Sequence, residues 1–178
     1  MSQEEFEKNT RTLVTLAGYG NFLALWSTFE IILEILIMRE LRLTSEETSI
    51  VCTGKAVDGK MTMLQALLRR DPEKAKGIGL LTTARAIAKR NSCVHGFFRV
   101  DHSNGDLYLI SRDVKSEYSA SSERLNHKSM DAHVEQFEQK FVEVKRHFGI
   151  SDEEIDAYTQ PIFALAQAPK SQKPKKGR

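Results

Sequence analysis

The chain contains few of the residues that characterise secreted, disulfide-linked or membrane-spanning proteins. Cys52 and Cys93 are its two cysteines, and no CxxC spacing is present, so we expect no disulfide framework and a reducing compartment. The first ten residues contain acids and no apolar stretch, which argues against a signal peptide. The most apolar window, residues 22–38, is interrupted by Glu30 and Glu34 and falls short of the about 20 apolar residues that cross a bilayer. These absences predict a cytoplasmic protein without membrane contact.

Metal-binding patterns are also missing from the sequence. Its histidines form no HExxH motif and no paired His/Cys spacing, so we predict no metal and no other cofactor; they are His95, His102, His127, His133 and His147. Cys93 has no base placed beside it by the sequence, and a small buried thiol is the favoured interpretation over a nucleophile.

Charge is nearly balanced, with 26 basic and 24 acidic side chains. The last ten residues hold five of the basic side chains and no acid, which leaves 21 basic against 24 acidic elsewhere. This balance excludes a broadly cationic nucleic-acid binder, so any such contact must use a local patch. We expect a single helical domain at 1–165 and a disordered basic tail at 166–178, which adds either non-specific RNA affinity or only solubility.

Hydrophobic periodicity predicts a mostly helical chain. A first helix over residues 3–17 is expected to end near Gly18 and Gly20, and a second to begin at Asn21. The second helix is apolar on several sides, which is typical of a helix central in a core or shared with a partner chain. Further helices are predicted from Thr44 or Ser45 to about residue 54, and again after a turn at residues 58–59.

The second half of the chain combines helices with one β signal. Asp71-Pro72-Glu73 is typical of a helix start, and this helix is predicted to reach His95, with a kink at its two early glycines. Residues 97–100 and 107–110 flank Asn104-Gly105, which favours a type I′ hairpin. Residues 116–126 are predicted to be irregular, 129–148 a long helix, and 151 onward a short last helix. The predicted class is all-α, a helical bundle with a small β-hairpin.

The segment with the clearest chemical pattern is Arg90-Asn91-Ser92-Cys93-Val94-His95-Gly96. Asn91 and His95 are four residues apart and share a helical face, and the long Arg90 side chain reaches the same space. The end of a helix favours a protonated imidazole, which can exchange a proton near neutral pH. An arginine fork fits phosphate oxygens. RNA supplies its own nucleophile, the 2′-hydroxyl, so such a set can cleave it without metal. Surface or capping groups are the commoner explanation of the same spacing.

The motif Arg90-Asn91-x-x-x-His95-Gly96 resembles the R-x4-6-H motif of the HEPN superfamily. An early apolar helix with Trp26 and Glu30, and a hairpin directly after the motif, match that family as well. The resemblance covers residues 21–148. It implies a HEPN-like helical bundle that dimerises through the motif helices, so that two motifs line one cleft.

The resemblance also implies an activity. Catalytic HEPN proteins are metal-independent endoribonucleases, many of them toxins or phage-defence components held by an antitoxin or regulatory protein. By that likeness His95 would be the acid and base, Arg90 would hold the phosphate, and Asn91 would orient its neighbours. Other members are non-catalytic dimers that bind RNA, a nucleotide or a protein, and this alternative stays open. So does an unrelated helical scaffold with a chance motif.

Basic residues on both sides of the motif form a candidate RNA-binding patch. Arg85 and Lys89 precede the motif, Arg99 follows it, and His102 lies beside the predicted hairpin turn. Such a patch would supply the local positive charge that RNA binding needs in an otherwise acidic body. A solvated surface is the equally simple alternative.

Overall fold

The computed structural model describes residues 2–88, 97–101, 103, 106–113 and 119–167. Over these residues the protein is mostly helical with one small sheet, which confirms the predicted helical class. The elements in chain order are α1 (Gln3–Leu41), α2 (Ser45–Cys52), α3 (Val57–Leu68), α4 (Pro72–Ala75), α5 (Ile78–Ala88), β1 (Phe97–Asp101), β2 (Asp106–Asp113), β3 (Ser119–Leu125), α6 (His127–Phe148) and α7 (Asp152–Gln167).

Helix α1 is continuous over 39 residues, so the predicted break at Gly18, Gly20 and Asn21 is wrong. A glycine inside a helix costs only about 1 kcal/mol, and packing along α6 outweighs that cost. A Cβ added at Gly18 would lie 3.0 Å from Met130 Cγ. The glycine therefore lets α1 approach α6 closely instead of ending the helix.

The core is centred on α1, as its broad apolar surface predicted. Phe22, Trp26 and Phe29 surround Phe137 of α6 at ring-centroid distances of 5.8, 6.0 and 5.9 Å. All four side chains are buried. Tilted and edge-on ring pairs of this kind stabilise the contact between α1 and α6 beyond the apolar area that they bury.

Helix α1 is also long and apolar enough to cross a membrane, judged by length and composition alone. Its most apolar 18-residue window has a mean hydropathy of 1.6, although Glu30 and Glu34 interrupt the apolar run. Core helices of soluble proteins pass the same test, and 44% of that window is buried inside the fold. The property is therefore only weak support for a membrane span.

The helices after α1 begin largely where the sequence predicted. Thr44 caps α2, accepting a hydrogen bond from Glu47 N while the Glu47 carboxylate accepts one from Thr44 N. Asp71 caps α4 by accepting from Glu73 N at 2.9 Å. The turn predicted at residues 58–59 is wrong, because both residues lie in the first turn of α3. An aspartate there is favourable since it faces the positive end of the helix dipole.

The helix predicted from residue 72 onward is interrupted before residue 78. Gly77 lies against the end of α6, where an added Cβ would fall 2.2 Å from Phe148 Cζ and 2.8 Å from the His147 ring. A glycine is therefore required for this close approach, and α5 restarts at Ile78. Helix α5 is described to Ala88, so its predicted extension to His95 lies outside the described residues.

The three strands form one antiparallel sheet in the order β1-β2-β3. The pairing of β1 with β2 confirms the two predicted hairpin strands, while Asn104 and Gly105 of the predicted turn lie outside the described residues. The prediction that 116–126 is irregular is wrong for Ser119–Leu125, because β3 pairs with β2 along its length, while residues 116–118 lie outside the described residues. Polar β3 has no clear apolar alternation, and its Leu125 is buried in the core. Partnership with β2 therefore decides its structure.

The C-terminal helices follow the predicted signals closely. Asn126 caps α6, and Gly149 ends it with a φ of 59°, as its place after Phe148 predicted. Ser151 Oγ accepts a hydrogen bond from Glu154 N at 3.3 Å. Helix α7 then runs to Gln167 with Pro161 inside it, longer than the short helix expected. Residues 168–178 of the predicted tail lie outside the described residues.

A polar cluster ties α7 and α3 to α1. Lys60 Nζ lies 2.5 Å from Glu34 Oε1 and 3.7 Å from Glu30 Oε2. Tyr158 donates to Glu34 Oε2 at 2.8 Å, and Trp26 donates to Glu30 Oε1 at 2.7 Å. Burial, then the hydrogen bond and charge of Glu34, raise the pKa of Tyr158 well above its usual value. Lys60, Trp26 and Tyr158 are buried and the two glutamates are half-buried, and each polar group has a partner, as buried polar groups require.

Candidate functional site at the end of helix α5

Most of the predicted site residues lie outside the described residues. These are Lys89, Arg90, Asn91, His95 and His102. Their mutual geometry therefore stays a prediction. Arg85 and Arg99 are described, one on each side of the motif, and they show what surrounds it.

In the sequence, the motif follows the buried end of α5 and precedes the first strand of the sheet. Ala88, the last residue of α5, is fully buried, and α5 packs along α6. Phe97 opens β1. Residue 90 follows Ala88 by two positions, and residue 95 precedes Phe97 by two positions.

Arg85 is held by a carboxylate of another helix. Its Nη2 lies 2.5 Å from Asp58 Oδ1, and the two side chains are 42% and 62% exposed. Exposed pairs contribute at most about 1 kcal/mol. A phosphate can therefore replace Asp58 at low cost, and the predicted RNA contact remains chemically open to Arg85.

Arg99 belongs to a row of side chains across the sheet. Its register partner on β2 is Tyr108, and the partner of Tyr108 on β3 is Arg124. Residues directly opposite one another point to the same face, with Cβ atoms about 5 Å apart. Leu107 and Leu109, the neighbours of Tyr108 in β2, are buried in the core. The row therefore lies on the outer face of the sheet, where Arg99 is exposed.

Tyr108 and Arg124 were not among the predicted site residues. Strand alternation in 107–110 already placed Tyr108 opposite the buried leucines, and that signal could have singled it out. Arg124 required β3, which the polar sequence did not reveal. Its guanidinium lies 2.7 Å from Asp106 Oδ2, and the hydrogen bond and charge of Asp106 raise the pKa of Arg124.

An open groove of about 440 Å³ lies between α5 and α6, at the end of α5 that leads into the motif. His133 Nε2 is 3.4 Å from Ala88 O, so one wall of the groove touches the last turn of α5. Hydroxyl, amide, imidazole and aliphatic groups share the lining, which suits an uncharged polar ligand group. The lining residues are Thr82, Thr83, Ala86, Ile87, His133 and Gln136.

No cluster of His, Cys, Asp or Glu that could hold a metal ion occurs within the described part of the chain. No family model, curated protein or solved structure matches the chain. Function must therefore be argued from the motif and from the residues around it.

Proposed function

We propose that the protein is a metal-independent endoribonuclease of the HEPN type that acts as a homodimer in the cytoplasm. The observation that carries this proposal is the Arg90-Asn91-x-x-x-His95-Gly96 motif, situated where the buried end of α5 leads to β1. A mostly helical fold centred on an early apolar helix is consistent with the resemblance.

The chemistry needs only proton transfer and charge stabilisation. The 2′-oxygen of RNA attacks the adjacent phosphorus, and the bond from phosphorus to the 5′-oxygen breaks, which leaves a 2′,3′-cyclic phosphate and a 5′-hydroxyl. His95 takes the proton of the 2′-hydroxyl, and the His95 imidazolium returns a proton to the leaving 5′-oxygen. Arg90 stabilises the charge that develops on the phosphate, and Asn91 orients the groups around it.

Contacts for the RNA strand are available on both sides of the motif. Arg85 can exchange Asp58 for a phosphate, Arg99 is exposed on β1, and Lys89 and His102 add to the same predicted patch. Each phosphate contact would make binding weaken as the salt concentration rises.

We propose that the two copies meet through an exposed apolar face on α1, rather than through the motif helices as the resemblance implies. Phe6, Leu13, Val14 and Leu16 are 56%, 66%, 46% and 39% exposed, whereas the second half of the helix is buried in the core. Clustered apolar side chains on a surface are typical of an interface. A second copy of the chain would remove them from water.

The same face is complementary to itself. Phe6, Leu13 and Gly20 are seven residues apart, so they follow nearly one line along α1. An antiparallel pair with its two-fold axis at Leu13 brings Phe6 of one copy opposite Gly20 of the other. A Cβ added at Gly20 would meet nothing within 4 Å, so space for the ring is present there.

Cleavage assays in EDTA with the motif variants test the proposal. His95→Ala and Arg90→Ala are each expected to lower RNA cleavage at least a hundredfold, with the dimer still folded. Arg70→Ala, which removes an exposed arginine outside the site, is the control and is expected to cut at the parent rate. Parent-like cleavage by His95→Ala would reject the assignment.

The cellular role that the resemblance implies is that of a toxin or phage-defence component restrained by an antitoxin or regulatory protein. Growth arrest on expression, relieved by His95→Ala, is the expected sign of such a role. A folded dimer that binds RNA or a nucleotide but leaves diverse RNAs uncut would instead support the alternative, a non-catalytic HEPN binding module.

A further inference from the structure

On the outer face of the sheet, the half-buried Tyr108 lies in register between Arg99 and Arg124. Tyr108 is the register partner of both Arg99 and Arg124. Arg99 is exposed, and the Arg124 side chain is 60% exposed. The opposite face of β2 holds the buried Leu107 and Leu109, so this strand is fixed to the core while its outer face meets solvent.

The positions of the charged neighbours make the two arginines unequal. Asp106, on the same strand and face as Tyr108, binds Arg124 at 2.7 Å. Asp101 shares the face of Arg99 but accepts hydrogen bonds from Ser103 N and Oγ, at 2.9 and 2.6 Å. Phosphate is therefore expected to approach Arg99 in preference, with Arg124 contacting it only after leaving Asp106.

An aromatic ring between arginines on a sheet suits an unpaired base. Unstacked bases in single-stranded RNA stack on tyrosine rings and arginine planes, and their phosphates bind the same arginines. A duplex buries its base faces and cannot stack in this way. His95 of the proposed cleavage site precedes Arg99 by only four residues, so the two sites are neighbours along the chain.

We propose that Tyr108, with Arg99 and Arg124, binds a base of single-stranded RNA next to the proposed cleavage site. The location beside that site rests on the proposed function, but binding of the RNA can be measured without cleavage. The substrate class is therefore single-stranded RNA, which binds by stacking of a base on the sheet and not by recognition of its base sequence.

The test uses the full chain carrying His95→Ala, so that RNA stays intact. Fluorescence anisotropy would follow a short fluorescein-labelled uridylate or adenylate strand, with a duplex of the same length as comparison. Tyr108→Ala is expected to weaken binding of the single strand about tenfold and to leave duplex binding unchanged. Tyr108→Phe keeps the stacking ring and should stay within about twofold of the parent.

Two arginine variants separate this face from general attraction of charge. Arg99→Ala should weaken binding of the single strand and reduce the salt slope by about one. Arg70→Ala removes an exposed arginine outside the sheet and should have neither effect. If Arg70→Ala matches Arg99→Ala, binding is not localised to the sheet and the proposal is rejected.

Photo-cross-linking keeps the proposal testable even if Tyr108→Ala unfolds. A strand containing 5-iodouridine should cross-link to Tyr108 in the otherwise unaltered chain, as identified by mass spectrometry. Three results would each overturn the proposal. They are the absence of that cross-link, a folded Tyr108→Ala that binds the single strand as tightly as the parent, and a parent chain that binds no RNA. If the protein cleaves RNA but Tyr108→Ala leaves RNA binding unchanged, only the proposed Tyr108 site is rejected. If RNA binding depends on Tyr108 but no RNA is cleaved, only the proposed nuclease activity is rejected.

Discussion

Replacing Lys60 by methionine removes the positive charge of this side chain and keeps a side chain of similar length in the core. Lys60 is 8% exposed, and its ammonium lies 2.5 Å from Glu34 Oε1. The variant therefore leaves Glu34, whose side chain is 17% exposed, and the nearby Glu30 without their cation. Breaking a buried ion pair in this way costs about 3–5 kcal/mol. Partial access of water to Glu30 lowers the expected loss to about 2–4 kcal/mol.

A surface pair with the same separation provides a matched control. Lys76 Nζ lies 2.5 Å from Glu73 Oε2, but the two side chains are 65% and 79% exposed. Lys76→Met is therefore expected to cost less than about 1 kcal/mol. Comparing the two variants isolates burial, because the distance between the charged atoms is the same.

A double-mutant cycle then measures the coupling. Adding Glu34→Gln to Lys60→Met removes the uncompensated charge, while the amide oxygen can still accept the hydrogen bond of Tyr158. The double variant should regain about 1–2 kcal/mol relative to Lys60→Met alone. Additive losses would show that Lys60 stabilises the fold by packing rather than by its charge.

Urea unfolding followed by tryptophan fluorescence is a direct assay. Trp26 is the single tryptophan of the chain, is 4% exposed, and donates to Glu30 within the same cluster. Protein concentration must be the same for all variants, since dimerisation would add to the apparent stability. A loss for Lys60→Met no larger than that for Lys76→Met would refute the reasoning.

Two further predictions concern association and pH. Leu13→Arg should convert the proposed dimer into a monomer, as measured by sedimentation or light scattering. Ile50→Arg, at an apolar residue that is 76% exposed on α2, is the control and should remain a dimer. A Leu13→Arg variant that is still dimeric contradicts the α1 interface. The pKa of Tyr158 is raised above the usual tyrosine value of about 10. Its contribution to the free energy of unfolding is therefore complete below about pH 10 and is lost as pH rises further, by at most about 1.4 kcal/mol per pH unit. Urea unfolding of Tyr158→Phe should show a flatter decline above pH 10, and parallel declines contradict this assignment.

Local signals in the sequence predicted the boundaries that local chemistry determines. Thr44 with Glu47, Asp71 before Pro72, and Gly149 after α6 each satisfy or release backbone groups within one turn of the helix end. The partners lie within a few residues of one another in the chain. Such ends can therefore be predicted without knowing the fold.

The errors arose where a distant partner decides the structure. Gly18 looked like a helix end, but Met130 lies against it and the helix continues. Strand β3 has the composition of a loop, yet its ladder with β2 extends from Ser119 to Leu125. Neither partner is visible from sequence spacing, because both contacts join segments that are separate in the chain.

The candidate site divides in the same way. The motif at Arg90 and His95 was predicted from its resemblance to a short family pattern, and it lies outside the described residues. Arg99 was singled out for its position after the motif, but its relation to Tyr108 and Arg124 depends on the register of three strands. The sequence could thus indicate residues for chemistry, while the surface proposed to bind RNA became apparent only from the sheet.

On the proposed function, a strand of RNA would meet the motif in a defined orientation, because the segments that precede and follow the motif in the sequence are held by the core. On one side, α5 is held against α6 and ends at the buried Ala88. On the other side, β1 is paired with β2, whose leucines are buried in the core. A strand stacked on Tyr108 is therefore held by a part of the molecule that cannot move without disturbing the core. Since precise placement of the reacting groups accounts for much of catalysis, binding at this rigid sheet would raise cleavage more than an equally strong contact made by a loose terminus.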